Sequence, residues 1–234
     1  MSEARYLDDG TFDAVVFDKD GTLLDFHQTW GGVTERVIRA VAVSDEQALV
    51  VADVLGFDLD TYAFAADSVL IAESNAVVAE RIATVAPDVD LAKLEAVVLE
   101  ASEGAAAPRD GASALLAALA TARIPVAVAT NDTAETARRQ LADTGWLDQF
   151  VAVVGYDSGH GAKPDPAMVT AALAATGALP HRAAMVGDSS HDLDAGRAAG
   201  LVTVYVGTDA AVARSADIAV DHLGRLSQFT AADR

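Results

Sequence analysis

The 234-residue sequence has no cysteine, which excludes disulfides, thiolate metal sites and a cysteine nucleophile. It has three lysines, Lys19, Lys93 and Lys163, and its 16 Lys and Arg face 35 Asp and Glu, a net charge of −19. A nucleic-acid-binding surface needs a basic footprint, so no nucleic-acid partner is expected. The same field repels anions, and a site for an anionic substrate would need a bound cation and local positive groups. No apolar run approaches the roughly 18 residues of a membrane helix. The opening MSEARYLDDGTF lacks the basic region and apolar stretch of a signal peptide. A cytoplasmic protein without a membrane partner is predicted. The chain is 52% hydrophobic, enough for a packed core rather than a disordered coil.

What is present is a rhythm of short β-branched runs, each followed by turn residues and a helical pattern. The runs are Ala14–Phe17, Ile124–Ala129, Phe150–Val154, Ala183–Val186, Val202–Val206 and Ile218–Val220. Runs apolar on both faces that alternate with helices predict a parallel sheet covered by helices. Asp132 with Glu135 reads as a capping box for a helix that stops at Gly145. Asp165 reads as a cap with Pro166 at the first helical position. A further helix runs from Ser190 to Ala199, with Gly200 after it. A crossover between parallel strands needs about a dozen residues, yet the first two runs are separated by the whole stretch from Phe17 to Ile124. The helix Gly111–Arg123 suffices for the link. The surplus reads as helical throughout, with apolar residues at three- and four-residue spacing. An inserted helical domain is predicted over residues 25–107, with a core made of 1–24 and 108–234 and two crossing points that suggest a hinged lid.

In an open parallel sheet, ligands bind beyond the carboxyl ends of the strands. Four such ends carry complementary polar residues. In DKDGT (Asp18–Thr22), a strand extended to Asp20 would put Asp18 and Asp20 on one side and Lys19 on the other. Paired carboxylates can bind a hard cation or divide nucleophile and acid/base roles. Thr130 and Asn131 offer a hydroxyl and an amide for a phosphate oxygen, although both also suit a helix cap. Lys163, in GHGAKPDP, offers a point charge for phosphate. Asp188 follows the fourth run, after Gly187, and Asp192 lies four residues on, where a helix start can turn both toward one point. Together these supply carboxylates for Mg²⁺, a nucleophile, an acid/base and groups for phosphate: a phosphoryl-transfer site. The five histidines have no metal-binding spacing, and His191 reads as an exposed helix position.

With DKDGT (Asp18–Thr22), VAVATN (Val126–Asn131), AKPDP (Ala162–Pro166) and GDSSHDLDAGRAAG (Gly187–Gly200) in this order, the sequence resembles the haloacid dehalogenase-like hydrolase superfamily. The resemblance covers the whole core and implies a Rossmann-like parallel sheet, an α/β fold, with an inserted α-helical cap. The insertion point resembles the branch that contains phosphoglycolate phosphatases, although DFHQTW after DGTLL departs from that branch's usual continuation. The resemblance implies that Asp18 forms an aspartyl-phosphate and that Asp20 acts as acid, then base. It implies Mg²⁺ on the Asp18 carboxylate, the Asp20 main-chain carbonyl and Asp188, with Asp192 in support. Thr130, Asn131 and Lys163 would hold the phosphoryl oxygens. Asp20 sets the chain apart from dehalogenases, which lack that aspartate, and from P-type pumps, which carry threonine there. The predicted activity is a Mg²⁺-dependent phosphatase for a small phosphorylated metabolite, 2-phosphoglycolate among the candidates. A sugar-phosphate phosphomutase and a non-catalytic binding module are the alternatives.

Overall fold

The computed structural model describes residues 12–71 and 73–229. The expectation drawn from MSEARYLDDGTF falls, save for Phe12, outside these residues. In chain order the elements are β1 (Ala14–Phe17), α1 (Phe26–Val41), α2 (Asp45–Leu55), α3 (Asn75–Ala83), α4 (Leu91–Ala101), α5 (Ala112–Thr121), β2 (Val126–Thr130), α6 (Ala134–Asp143) and β3 (Phe150–Gly155). There follow α7 (Ala167–Thr176), β4 (Ala183–Gly187), α8 (Ser190–Ala198), β5 (Val202–Val206), α9 (Ala210–Ala213) and β6 (Ile218–Val220).

The six strands form one parallel sheet in the order β3-β2-β1-β4-β5-β6. This is the expected α/β architecture. Strand alternation divides its side chains between two apolar layers. Val15, Phe17, Val126, Val128, Val186 and Val204 face α5 and α6. Ala14, Val16, Ala127, Ala129 and Met185 face α7 and α8. Each fully buried Val or Phe contributes on the order of 1.5–3 kcal/mol, so a register slip of one residue would exchange every layer partner. The order reverses at β1, which lies between β2 and β4.

Helices α1–α4 bury a separate apolar cluster, with Val33, Ile38, Val51, Leu55, Ile82 and Leu94 among its members. α1 and α4 start on capping aspartates: Asp25 accepts from the Gln28 amide at 2.9 Å and Asp90 from the Lys93 amide at 2.8 Å. The outgoing and returning segments lie side by side. Leu24 pairs antiparallel with Pro108, the Asp25 amide donates to Ala107 O at 2.8 Å, and the Arg109 amide donates to Leu23 O at 2.9 Å.

Several local expectations are corrected. The surplus stretch is not helical throughout. Between α2 and α3 the chain forms turns and an isolated bridge, Phe57 with Phe64, where Phe26 and Phe57 pack on the Phe64 ring. Aromatic packing and local turns there outweigh an apolar spacing that suits a helix. Thr133, not Asp132, caps α6 by accepting from the Thr136 amide, because Asp132 is turned inward. Pro166 occupies the cap position of α7, one residue later than expected, and Asp165 accepts from the Ala167 amide at 2.9 Å. Ser189 and Asp192 form a capping box at α8.

Candidate active site

β1 ends at Phe17, so the alternation expected through Asp20 does not continue. The Asp18 amide still donates to Val186 O at 2.8 Å, which fixes Asp18 between β1 and β4. The chain then turns sharply. Gly21 has φ +80, and a Cβ there would sit 2.2 Å from Asp188 Oδ2. Only glycine permits both the left-handed backbone and this approach. Thr22 Oγ1 donates to Asp188 Oδ1 at 2.7 Å. A Cβ on Gly187 would likewise meet the Asp192 side chain at 2.3 Å. Two glycines therefore let the carboxylates of β4 and α8 close on the end of β1.

The result brings Asp18, Asp188 and Asp192 together, with one oxygen of each within 4.8 Å of the others. Lys163, from the loop after β3, reaches between two of them. Its Nζ lies 2.6 Å from Asp18 Oδ1 and 2.7 Å from Asp192 Oδ1. Asn131 holds that loop by a reciprocal pair: the Lys163 amide donates to Asn131 Oδ1 at 2.8 Å and Asn131 Nδ2 donates to Lys163 O at 3.1 Å. Thr130 is buried at the end of β2, and its Oγ1 accepts from the Asp132 amide at 3.1 Å. All seven residues expected at the site line one cavity of about 160 Å³.

The electrostatics follow from this crowding. Burial pushes the Asp18 carboxyl well above the usual range; Lys163 opposes this, and Asp192, Asp188 and Asp20 add to it. Burial and then Asp192 push Asp188 up to about 7, against the Thr22 hydrogen bond. Burial alone would disfavour the Lys163 ammonium, but Asp18 and Asp192 outweigh it and raise its pKa. Three carboxylates with one shared ammonium suit a hard divalent cation, which takes oxygen ligands and relieves like-charge repulsion. The residues present fit Mg²⁺.

Lys19 corrects the sequence reading most clearly. Alternation was expected to turn it away from both aspartates. Instead it is fully buried, with Nζ 2.7 Å from Asp20 Oδ2 and 3.2 Å from Asp132 Oδ2, and it donates to Gln140 Oε1. The end of β1 at Phe17 removes the strand geometry on which that expectation rested. Asp132 Oδ2 is in ion-pair range but not aligned for a hydrogen bond. Burial lifts Asp132 to about 6, with Lys19 opposing the rise. Trp30 of α1 donates from Nε1 to Asp20 Oδ1 at 2.6 Å, and its ring lies 5.2 Å from Lys19 Nζ. Asp20 is therefore held from both sides, its carboxylate directed to Lys19 and Trp30 rather than into the cluster of three. His191 is half-buried and lines the cavity rather than standing exposed, and its Nδ1 has no partner among the described residues.

Sequence reasoning missed Asp132, Gln140 and Arg109 as supporting groups. Arg109 Nη1 donates to Gly21 O and, at 3.4 Å, to Val206 O. None has a motif of its own. Gln140 lies on α6, remote in sequence from the lysine it holds. Trp30 of α1 and Asn75 of α3 also line the cavity.

A family model described as haloacid dehalogenase-like hydrolase matches residues 12–200. The chain belongs to the haloacid dehalogenase-like hydrolase family. A phosphoglycolate phosphatase of Rhodospirillum rubrum is 35% identical over 82% of this chain and 78% of its own length. The tyrosine-protein kinase PtkA of Mycobacterium tuberculosis is 44% identical over 42% of this chain, and the match spans about a third, 34%, of that kinase. The crystal structure of CbbY from Rhodobacter sphaeroides in complex with phosphate has a TM-score of 0.68 at 22% identity, covering 92% of this chain and 96% of CbbY. That likeness shows a shared fold. No helix among the described residues is long and apolar enough to cross a membrane.

Proposed function

We propose that this hydrolase is a Mg²⁺-dependent phosphomonoesterase for a small phosphorylated metabolite in the cytoplasm. Residues 25–107 act in it as a helical cap over a core of 1–24 and 108–234. The observation that carries the reading is the position of Asp18. It stands at the carboxyl end of β1, ion-paired to Lys163, on the floor of a cavity whose roof is α1–α4.

Asp18 attacks phosphorus in line. A bond forms from its carboxylate oxygen as the bond to the leaving oxygen breaks, giving an aspartyl-phosphate. Asp20 gives its proton to the leaving oxygen. It then takes a proton from the water that attacks phosphorus and releases Asp18 and phosphate. In this structure both Asp20 oxygens are engaged, by Trp30 and Lys19, so proton delivery requires one contact to be exchanged for substrate. Lys163, Thr130 and the Asn131 amide orient and neutralise the phosphoryl oxygens. Asp18, Asp188 and the Asp20 carbonyl would hold Mg²⁺, with Asp192 in support. Bound there, the ion supplies charge stabilisation to the transferring group.

The test is phosphate release from a panel of phosphomonoesters that includes 2-phosphoglycolate and hexose phosphates, with Mg²⁺ or with EDTA. Turnover that depends on Mg²⁺ and on Asp18 is expected. Turnover that persists with EDTA overturns the metal role. A sugar-phosphate isomer formed without free phosphate would mark a phosphomutase instead.

A further inference from the structure

The cavity extends from the carboxylates into the helices above them. Its walls there include Val33, Val37, Leu55, Leu70, Val78 and Val98. Val33, Val37, Leu55, Val78 and Val98 also belong to the buried cluster of α1–α4, so the cavity is cut into that apolar core. The polar groups on this side are few: Thr34, Asn75 and the exposed Glu73.

Charge compensation on the walls made by α1–α4 is missing; His191 also lines the cavity, but from α8, beside the carboxylates. Among the described lining residues Lys163 is the single Lys or Arg, and its ammonium already serves Asp18 and Asp192. The cations carried by α1–α4 face elsewhere. Arg36 donates to Ala101 O, Arg39 pairs with Glu35 and Asp45, and Arg81 and Lys93 are exposed. A second anionic group on the substrate would enter an apolar wall beside Glu73, where an unpaired buried charge is strongly disfavoured. Asn75 Nδ2 is buried and has no partner among the described residues. It leaves one neutral donor at the wall, and an unmet buried donor favours a ligand that satisfies it.

We infer that the organic group of the substrate is uncharged and largely apolar, with an oxygen that accepts from Asn75. A carboxylate-bearing group such as that of 2-phosphoglycolate does not fit. This rests on the phosphomonoesterase reading of the same site and adds the substrate class.

Isobutyl phosphate and 2-phosphoglycolate are similar in shape and differ in the carboxylate. With Mg²⁺-loaded protein, isobutyl phosphate is expected to have a kcat/KM at least about tenfold higher. An equal or higher value for 2-phosphoglycolate overturns the inference. The corresponding phosphonates, isobutylphosphonate and phosphonoacetate, test binding without turnover, by calorimetry at fixed free Mg²⁺. Tighter binding of isobutylphosphonate is expected; tighter phosphonoacetate, or no binding of either, overturns the inference. If isobutylphosphonate binds more tightly but neither ester is hydrolysed, the apolar class stands and the hydrolase reading falls. For Asn75, the readout is the kcat/KM ratio of 2-methoxyethyl phosphate to n-butyl phosphate. Asn75→Leu should lower this ratio by about fivefold, the worth of one hydrogen bond; an unchanged ratio removes Asn75 from the proposal.

Discussion

Identical side chains in one short segment acquire different tasks from their neighbours. Asp18 faces Lys163 and two further carboxylates, whereas Asp20 is held by Lys19 and Trp30. Asp18→Asn should lower phosphate release by about 10⁴-fold or more, with the circular-dichroism spectrum unchanged; near-normal turnover would remove Asp18 as nucleophile. Lys19 has the larger structural role. Lys19→Met leaves Asp20 and Asp132 without their buried counter-charge and should cost about 3–5 kcal/mol in urea unfolding. Adding Asp132→Leu to that variant should recover part of the loss, because an apolar pair needs no compensation. A loss below about 1 kcal/mol for the single variant would show that water reaches the group.

At the scale of elements, the site depends on how closely the turn after β1 meets the end of β4. Gly21→Ala would place a methyl on Asp188 at a left-handed backbone position. It should destabilise the protein by more than about 1 kcal/mol and weaken Mg²⁺ binding, measured by calorimetry. Unaltered metal affinity would mean that Asp188 does not contribute a ligand. The strands were legible because each is a short β-branched run bounded by turn residues, and β5 and β6 fall at the expected residues. The cap of α6 was not, since Asp132 and Thr133 are both good capping residues. Burial of Asp132 beside Lys19 decides between them. The stretch between α2 and α3 failed for a similar reason. Its apolar spacing suits a helix, but Phe57 and Phe64 satisfy their burial by packing on each other.

At the scale of the whole molecule, crowded acid links metal, pH and stability. Asp18 and Asp188 have folded-state pKa values above their ordinary value of 3.8, with Asp188 at about 7. Between these values the folded state holds more protons than the unfolded chain, so these groups lower metal-free stability as pH rises toward about 7. A bound cation relieves that cost. The gain in Tm from Mg²⁺ over EDTA should therefore be larger at about pH 8 than at about pH 5. A gain independent of pH would place the ion elsewhere. The net charge of −19 makes a second global effect. It repels an anionic substrate, and salt screens that repulsion over a Debye length of about 10 Å at 0.1 M. kcat/KM should rise when salt is first added to a low-salt buffer, as read in stopped-flow or initial-rate assays. A fall would show that local cations dominate the approach.

The sequence by itself determined the parallel sheet, the long insertion after β1 and the residues gathered at the strand ends. These follow from local periodicity, turn chemistry and the fact that neighbouring strands align their carboxyl ends. Tertiary structure alone decided which carboxylates share a charge, why Lys19 is buried and what the cavity above them is made of. Those are matters of distance between residues far apart in the chain: Lys19 meets Gln140, Asp18 meets Lys163, and Trp30 reaches back to Asp20. The motif DKDGT specifies the chemistry available. The packing around it specifies where each charge goes and how little compensation the apolar wall offers to a second one.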